Sequence, residues 1–252
     1  MSGADYLLYE FPCNEKIRTY LRLEALFRRY DWFCNQSDPV PHQTAISALF
    51  DLLDATARSD LRNELIQTLD KQRQHLVNAG PEFEKRIQEI ENVTTHVASS
   101  VGKTGQSVRA NQWLQLIRTR QTIVGGTCEF DLPQLHRWLN IPAEERRREL
   151  VAYGETLSPI RHGVTLLLDL LRDHSVSGNF VAEKGIYQYS TRDFQNCALA
   201  RIRLPIECPY IPEVSANKYM IWIRFSKPDE EHKLHPIRHT DIPFDLELCT
   251  LY

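Results

Sequence analysis

Two hydrophobic periods divide the chain. Up to about residue 175, apolar residues recur three or four positions apart, the spacing of one helix face. Beyond Ser175 they alternate with polar ones, the spacing of a half-buried strand. The first residues depart from the helical pattern: Tyr6 to Phe11 is an aromatic and aliphatic run closed by Pro12, and predicts a strand. Asn14 then stands where it can cap a helix whose apolar Ile17, Leu21, Phe27 and Tyr30 alternate with Arg18, Arg22, Arg28 and Arg29. After a loop predicted from Ser37 to Pro41, Ile46, Leu49, Phe50 and Leu53 repeat at i, i+3, i+4 and i+7.

Ser59 is the expected cap of a longer helix carrying Leu61, Leu65, Leu69 and Leu76 and ended by Gly80-Pro81. The next helix spaces Phe83, Ile87, Ile90, Thr94, Val97 and Val101 alternately four and three apart, a narrow coiled-coil-like seam. Together they predict an antiparallel hairpin, which Gly102 to Gly105 breaks off. A helix from about Gln106 to Thr122 follows, and leads into the run Ile123 to Pro142 around which the rest is organised. There Gly125-Gly126 ends the helix of Trp113 and Ile117, because adjacent glycines reach positive φ freely. Asp131 is the expected cap of a short helix with Pro133 in its first turn. Leu132, Leu135, Trp138 and Leu139 make its apolar face, and Pro142 stops it. A charged helix near Glu144 to Tyr153 precedes one with Ile160, Val164, Leu167, Leu168 and Leu171, apolar on several sides and expected at the middle of the helical core.

Tyr187 with Tyr189, Leu199 to Ile206, Tyr219 to Phe225 and Ile242 to Leu248 read as strands. If the first strand joins them, the helices are one large insertion. The predicted fold is α+β: residues 1–12 as the first strand of the β-domain, 13–175 as a helical domain, and 176–252 as an antiparallel β-domain.

Composition narrows the function classes. A chain of 252 residues with a net charge of −3 and both signs abundant argues against a dedicated nucleic-acid binder. The strongest apolar run, Val164 to Leu171, is interrupted by Asp169 and is too short to span a bilayer. The start of the sequence has no secretory pattern, and the six cysteines form no Cys-x-x-Cys pair. Reduced thiols and a cytoplasmic protein are expected.

Catalytic motifs are absent. Gly102-Lys103-Thr104 resembles the end of a phosphate-binding loop, but that loop needs a glycine where Val97 stands and a preceding strand. His232, His235 and His239 with Asp241 sketch a metal site. His235-Pro236 prevents helical ligand spacing, and a polar loop between strands accounts for them. The alternative function left by the residues is a hydrolase or metal-dependent enzyme using these histidines. Arg146-Arg147-Arg148, bracketed by glutamates, reads as a solvated helix face.

The strands carry the more specific signal. Ala200, Ile202, Leu204 and Ile206 share one face of their strand and Arg201 and Arg203 the other. Tyr219, Ile221, Ile223 and Phe225 face the core, with Met220, Trp222 and Arg224 opposite. If both outer faces belong to one sheet, arginines lie beside exposed Trp and Met, a mixture suited to an acidic, partly apolar peptide. The competing account pairs the arginines with Asp245 and Glu247 on the last strand. Arg118 and Arg120 form a third basic pair, with solvated helix arginines as their competing account. The residues leave both accounts open.

The run Ile123 to Pro142 resembles the middle signature of the ZapD family. So, in order, do Phe11-Pro-Cys-Asn-Glu-Lys-Ile-Arg-Thr-Tyr-Leu-Arg-Leu-Glu, Leu157-Ser-Pro-Ile with Val164 to Arg172, Gly185-Ile-Tyr-Gln, Lys218 with Ile223-Arg224-Phe225, and the closing Phe244-Asp-Leu-Glu-Leu. The helices at 59–101 are the least similar part. The resemblance implies a cell-division adaptor without enzymatic activity or cofactor, built from a helical and a β-domain. It implies a homodimer that bundles filaments of the tubulin-like protein FtsZ at mid-cell, without membrane insertion, by binding FtsZ's acidic and apolar C-terminal peptide. Arg118, Arg120, Lys218 and Arg224 match basic positions of the family, while Met220 stands where a basic residue is expected. With Arg201, Arg203 and Trp222 added from the strand pattern, these are the expected partner-binding residues.

Overall fold

The computed structural model describes residues 6–58, 60–100, 104–190, 197–217 and 219–252. Its order is β1 (Tyr6–Pro12), α1 (Glu15–Cys34), α2 (Pro39–Ala55), α3 (Leu61–Ala79), a 3-10 turn (Pro81–Phe83), α4 (Glu84–Ser99), α5 (Gln106–Ala110), α6 (Gln112–Gln121), α7 (Pro133–Leu139), α8 (Ala143–Glu155) and α9 (Ser158–Asp173). The strands β2 (Ser175–Ala182), β3 (Ile186–Ser190), β4 (Cys197–Pro205), β5 (Ile211–Ala216), β6 (Met220–Pro228), β7 (Leu234–Pro236) and β8 (Ile242–Thr250) follow. The fold is α+β, as the change of hydrophobic period predicts. Two compact units result, one of residues up to Leu21 with Leu168–Tyr252, the other Arg22–Leu167.

In the first unit, β1 pairs antiparallel with β4, so the N-terminal strand joins the C-terminal sheet as an edge. The strand order there is β1-β4-β8-β2; a second antiparallel sheet runs β3-β6-β5, with β7 also on β6. Alternation sends Ala200, Ile202 and Leu204 of β4, and Ile242, Phe244, Leu246 and Leu248 of β8, into a core shared with Ile221, Ile223 and Phe225 of β6. The Phe244 ring lies 5.3 Å from those of both Tyr187 and Phe225, joining the sheets. Ile206 and Tyr219, expected on the core face, lie just outside their strands and are exposed. β2, β5 and β7 lack a clear sequence signal: β2 carries Ser177, Gly178 and Asn179, and β5 contains Pro212, tolerated because β5 is an edge.

At the start of α1, Asn14 caps as expected, its Oδ1 accepting from the Ile17 N–H at 2.9 Å. In the helical unit, α2 begins at Pro39, inside the predicted loop, because proline at the first helical position loses no hydrogen bond. The expected capping residue Ser59 lies outside the described residues. The chain reverses between α3 and α4 at Gly80 (φ 146°), and Arg73 reaches Glu91 at 3.8 Å across the hairpin. Ile90 and Val97 of the seam are buried, whereas Ile87 and Thr94 are half-buried and Val101 lies outside the described residues. The hairpin packs on α9 at Gly163, where a side chain's first carbon would stand 3.3 Å from Val97 and 3.6 Å from Leu65. The single helix expected over 106–122 is two. Asn111 leaves helical conformation (ψ 110°) and its Oδ1 accepts from the Leu114 N–H at 3.1 Å, capping α6.

One correction concerns the Arg146 run. Arg146 is 3% exposed, not solvated. Its guanidinium donates to His42 Nδ1 (2.9 Å) and to the carbonyls of Leu139 (2.8 Å), Ser37 (2.8 Å) and Ile141. Arg147 spreads over the carbonyls of Cys34, Asn35 and Gln36 and the Glu144 carboxylate. These two arginines tie α8 to the end of α1, the start of α2 and the turn after α7.

Candidate partner-binding site

The helical unit presents Arg118 and Arg120 in the last turn of α6, where cations suit the carbonyl end of the helix dipole. Arg118 lies over the Phe50 ring (5.7 Å to its centre) and donates to Asp54 at 2.5 Å. Arg120 faces Asp131 at 3.8 Å. Both pairs are solvent-exposed, so neither is worth more than about 1 kcal/mol and a partner's carboxylate can compete for either arginine. Asp131 therefore does not cap α7 as expected: Leu132 holds the cap position, and no side chain bonds there.

Between α6 and α7 the backbone bonds to itself through tight turns. Ile123 N–H donates to Arg120 O, Gly126 N–H to Ile123 O, Cys128 N–H to Gly125 O, and Leu132 N–H to Cys128 O. Glycine is required twice. Gly125 has φ 72°, and a side chain at Gly126 would sit 2.4 Å from the Arg120 carbonyl oxygen. Held by these turns, the loop turns apolar side chains outward: Ile123 is half exposed, Phe130 80% exposed, and Val124 fully so. Sequence reasoning missed them, because an isolated Ile, Val or Phe in a Gly-rich segment carries no period that tells buried from exposed.

In the β unit the arginines separate. β4 and β6 belong to different sheets that share one core, so Arg201 with Arg203 and Trp222 with Arg224 point outward on opposite faces. The expectation that one sheet brings these arginines beside the exposed Trp and Met does not hold. On the first sheet, Arg201 is 14% exposed at its side chain and clamped between Glu10 (3.0 Å) and Glu247 (2.7 Å). Arg172 holds the far side of Glu10 at 2.8 Å. Arg203, 51% exposed, reaches the same Glu247 at 3.5 Å. Asp245, the other outward acid of β8, accepts from Asn179. The face is therefore internally matched in charge, with Arg203 the more available member.

On the second sheet, Trp222 is 45% exposed, with Gln188 and Ser215 opposite it on the neighbouring strands. Arg224 stands opposite exposed Ile186 and Glu213, and donates to the Glu213 carboxylate at 3.2 Å. Hydrogen bonds from Ser226 and then Arg224 hold that carboxyl below its ordinary range. Lys218 lies outside the described residues. His232 and His235 belong to a turn, and His239 is exposed beyond it. Asp229 accepts the N–H groups of Glu231 and Lys233, His235 contacts its other oxygen at 2.7 Å, and His232 takes φ 62°. Among the described residues, no three His, Cys, Asp or Glu side chains are arranged to hold a metal ion. Nor is any described helix long and apolar enough to cross a membrane.

A family model described as ZapD, a cell division protein, matches residues 21–224. The chain is 42% identical over 253 aligned positions to the cell division protein ZapD of Ralstonia nicotianae, covering 96% of this chain and 99% of that one. It is equally similar, with the same coverage, to those of Ralstonia pickettii and Cupriavidus pinatubonensis.

Proposed function

The chain belongs to the ZapD family of cell division proteins, and from that membership we propose that it is a non-catalytic adaptor that binds the C-terminal tail of FtsZ. As a homodimer it cross-links FtsZ filaments at the division site. The observation that carries this reading is the surface at the end of α6, where Arg118 and Arg120, each on a weak exposed ion pair, precede the outward Ile123, Val124 and Phe130. A peptide mixing carboxylates with apolar residues finds both of its needs met there: guanidinium donors for the acids, and desolvated area for the rest. Trp222 with Arg224, and Lys218 close by in sequence, offer a second surface of the same chemistry. Arg203 is the more available cation of the first sheet, and Arg201 acts by holding that sheet's charge network together.

The test is binding of a labelled FtsZ tail peptide, read by fluorescence anisotropy, to two variants: Arg118→Ala with Arg120→Ala, and Trp222→Ala with Arg224→Ala. At least one is expected to weaken binding about tenfold, equivalent to roughly 1.4 kcal/mol. Parent affinity should also fall with salt, as the Debye length shrinks from about 10 Å at 0.1 M to about 3 Å at 1 M. Full affinity in both variants, each with an unchanged melting temperature, overturns the assigned surfaces. Failure of the parent protein to bind the peptide overturns the function.

A further inference from the structure

Two thiols meet where the N-terminal strand leaves its sheet. Cys13 follows β1 directly, and its N–H donates to the Ala198 carbonyl at 2.9 Å. Cys197 opens β4, where the pairing register shifts before Leu199. Their Sγ atoms are 3.6 Å apart, and both residues are only partly buried, at the edge of the core that the two sheets share. The other cysteines are placed differently. Cys34 and Cys249 are buried, which pushes their thiols up to about 11 and about 12; Cys128 is exposed on the loop between α6 and α7.

From this geometry we propose that Cys13 and Cys197 are a modification site, a dithiol that hydrogen peroxide converts to a disulfide clamping β1 to β4. The separation must close to a bond of about 2.0 Å, a movement open to side chains on paired backbone. Cys13 is assigned the attack: the hydrogen bond that the two sulfurs share draws its thiol below the ordinary range, while that bond and burial raise Cys197. The Cys13 thiolate attacks one peroxide oxygen, the O–O bond breaks, and the departing hydroxide takes a proton to become water, leaving a sulfenic acid. The Cys197 sulfur then gives up its proton and attacks Cys13 Sγ. The S–O bond breaks, and hydroxide leaves as a second water. Two thiols are oxidised by two electrons in all and one peroxide is reduced to two waters, so the step needs no further reagent. A thiol reductant reverses it.

The test uses the full chain, treated with hydrogen peroxide while folded and then alkylated with N-ethylmaleimide in denaturant. Reduced protein takes six adducts, one per cysteine. The oxidised protein is expected to take two fewer, to yield a 13–197 linked peptide by non-reducing mass spectrometry, and to regain all adducts after dithiothreitol. In Cys197→Ser, a dimedone adduct on Cys13 is expected; in Cys13→Ser, none on Cys197. The oxidised parent should melt higher than the reduced, and oxidised Cys13→Ser should not. Alkylation of both residues after peroxide treatment, or a different pair as the main cross-link, overturns the site. Dimedone capture at Cys197 in Cys13→Ser, with none at Cys13 in Cys197→Ser, overturns the assigned order of attack.

Discussion

A guanidinium cannot shed its charge inside a protein, so burying Arg146 demands acceptors for its donors. It finds three backbone carbonyls and one imidazole nitrogen, all uncharged. Arg146→Met keeps the length but strands those acceptors in the interior. It is expected to cost about 3 kcal/mol or more, measured by urea unfolding, and Arg146→Lys should recover only part because an ammonium cannot reproduce the fork. The imidazole imposes a second condition. His42 is fully buried, accepts from Arg146 through Nδ1, and has Nε2 2.8 Å from the Gln36 carbonyl, which fixes the neutral Nε2–H tautomer. Burial, reinforced by the charges of Arg146 and Arg147, pulls its pKa below the ordinary value. The unfolded chain therefore binds a proton near pH 6.5 that the folded chain refuses, so stability from His42 is present above about pH 6.5 and is lost as pH falls below it. Unfolding free energies from pH 8 to 5 should show this loss, and His42→Gln should flatten it. None of this was legible beforehand. Three consecutive arginines among glutamates have the composition of a wet surface, and only the carbonyls brought in by Ser37 and the 139–141 turn make one of them an interior group.

At the scale of elements, reading succeeds where one periodic face decides and fails where loop chemistry decides. The buried Ile46, Leu49, Phe50 and Leu53 of α2 and the alternation in β4, β6 and β8 follow directly from spacing. The break between α5 and α6 does not: Gln106 to Gln121 has no glycine or proline, and a single Asn conformation divides it. The break has a consequence for the proposed site. It starts α6 afresh at Gln112 and so sets where Arg118 and Arg120 fall in its last turn. Asn111→Ala removes the cap and is expected to cost about 1 kcal/mol, a fall of about 2–4 °C in melting temperature. Because the effect begins at the helix holding the arginines, tail-peptide affinity should drop as well. Asn111→Asp, which caps equally well, should restore both. Loss of stability with full affinity would separate α6 from the site.

At the scale of the whole molecule, the pairing of β1 with β4 makes the helices an insertion between strands of one sheet, as the matching strand character of the two ends predicts. The partner of the coiled-coil-like seam follows from the hairpin that Gly80-Pro81 predicts: α4 packs on α3 of the same chain, and Ile90 and Val97 are buried there. Bundling by the proposed mechanism needs two tail sites on one particle, since a single site decorates a filament without joining it to another. A homodimer supplies them by two-fold symmetry. With many tails per filament, one engaged site raises the effective concentration for the other, so weak contacts sum to firm cross-linking. Heterodimers test this without knowledge of the interface. Co-expression of the parent with a differently tagged Arg118→Ala, Arg120→Ala, Trp222→Ala, Arg224→Ala variant, followed by purification through both tags, yields particles with one working site. Such a heterodimer should bind tail peptide at one per dimer with parent affinity, yet leave the light scattering and low-speed sedimentation of polymerised FtsZ unchanged. If it bundles filaments as well as the parent, or if no mixed dimer forms while the parent still bundles, bridging by a two-site homodimer is the wrong mechanism.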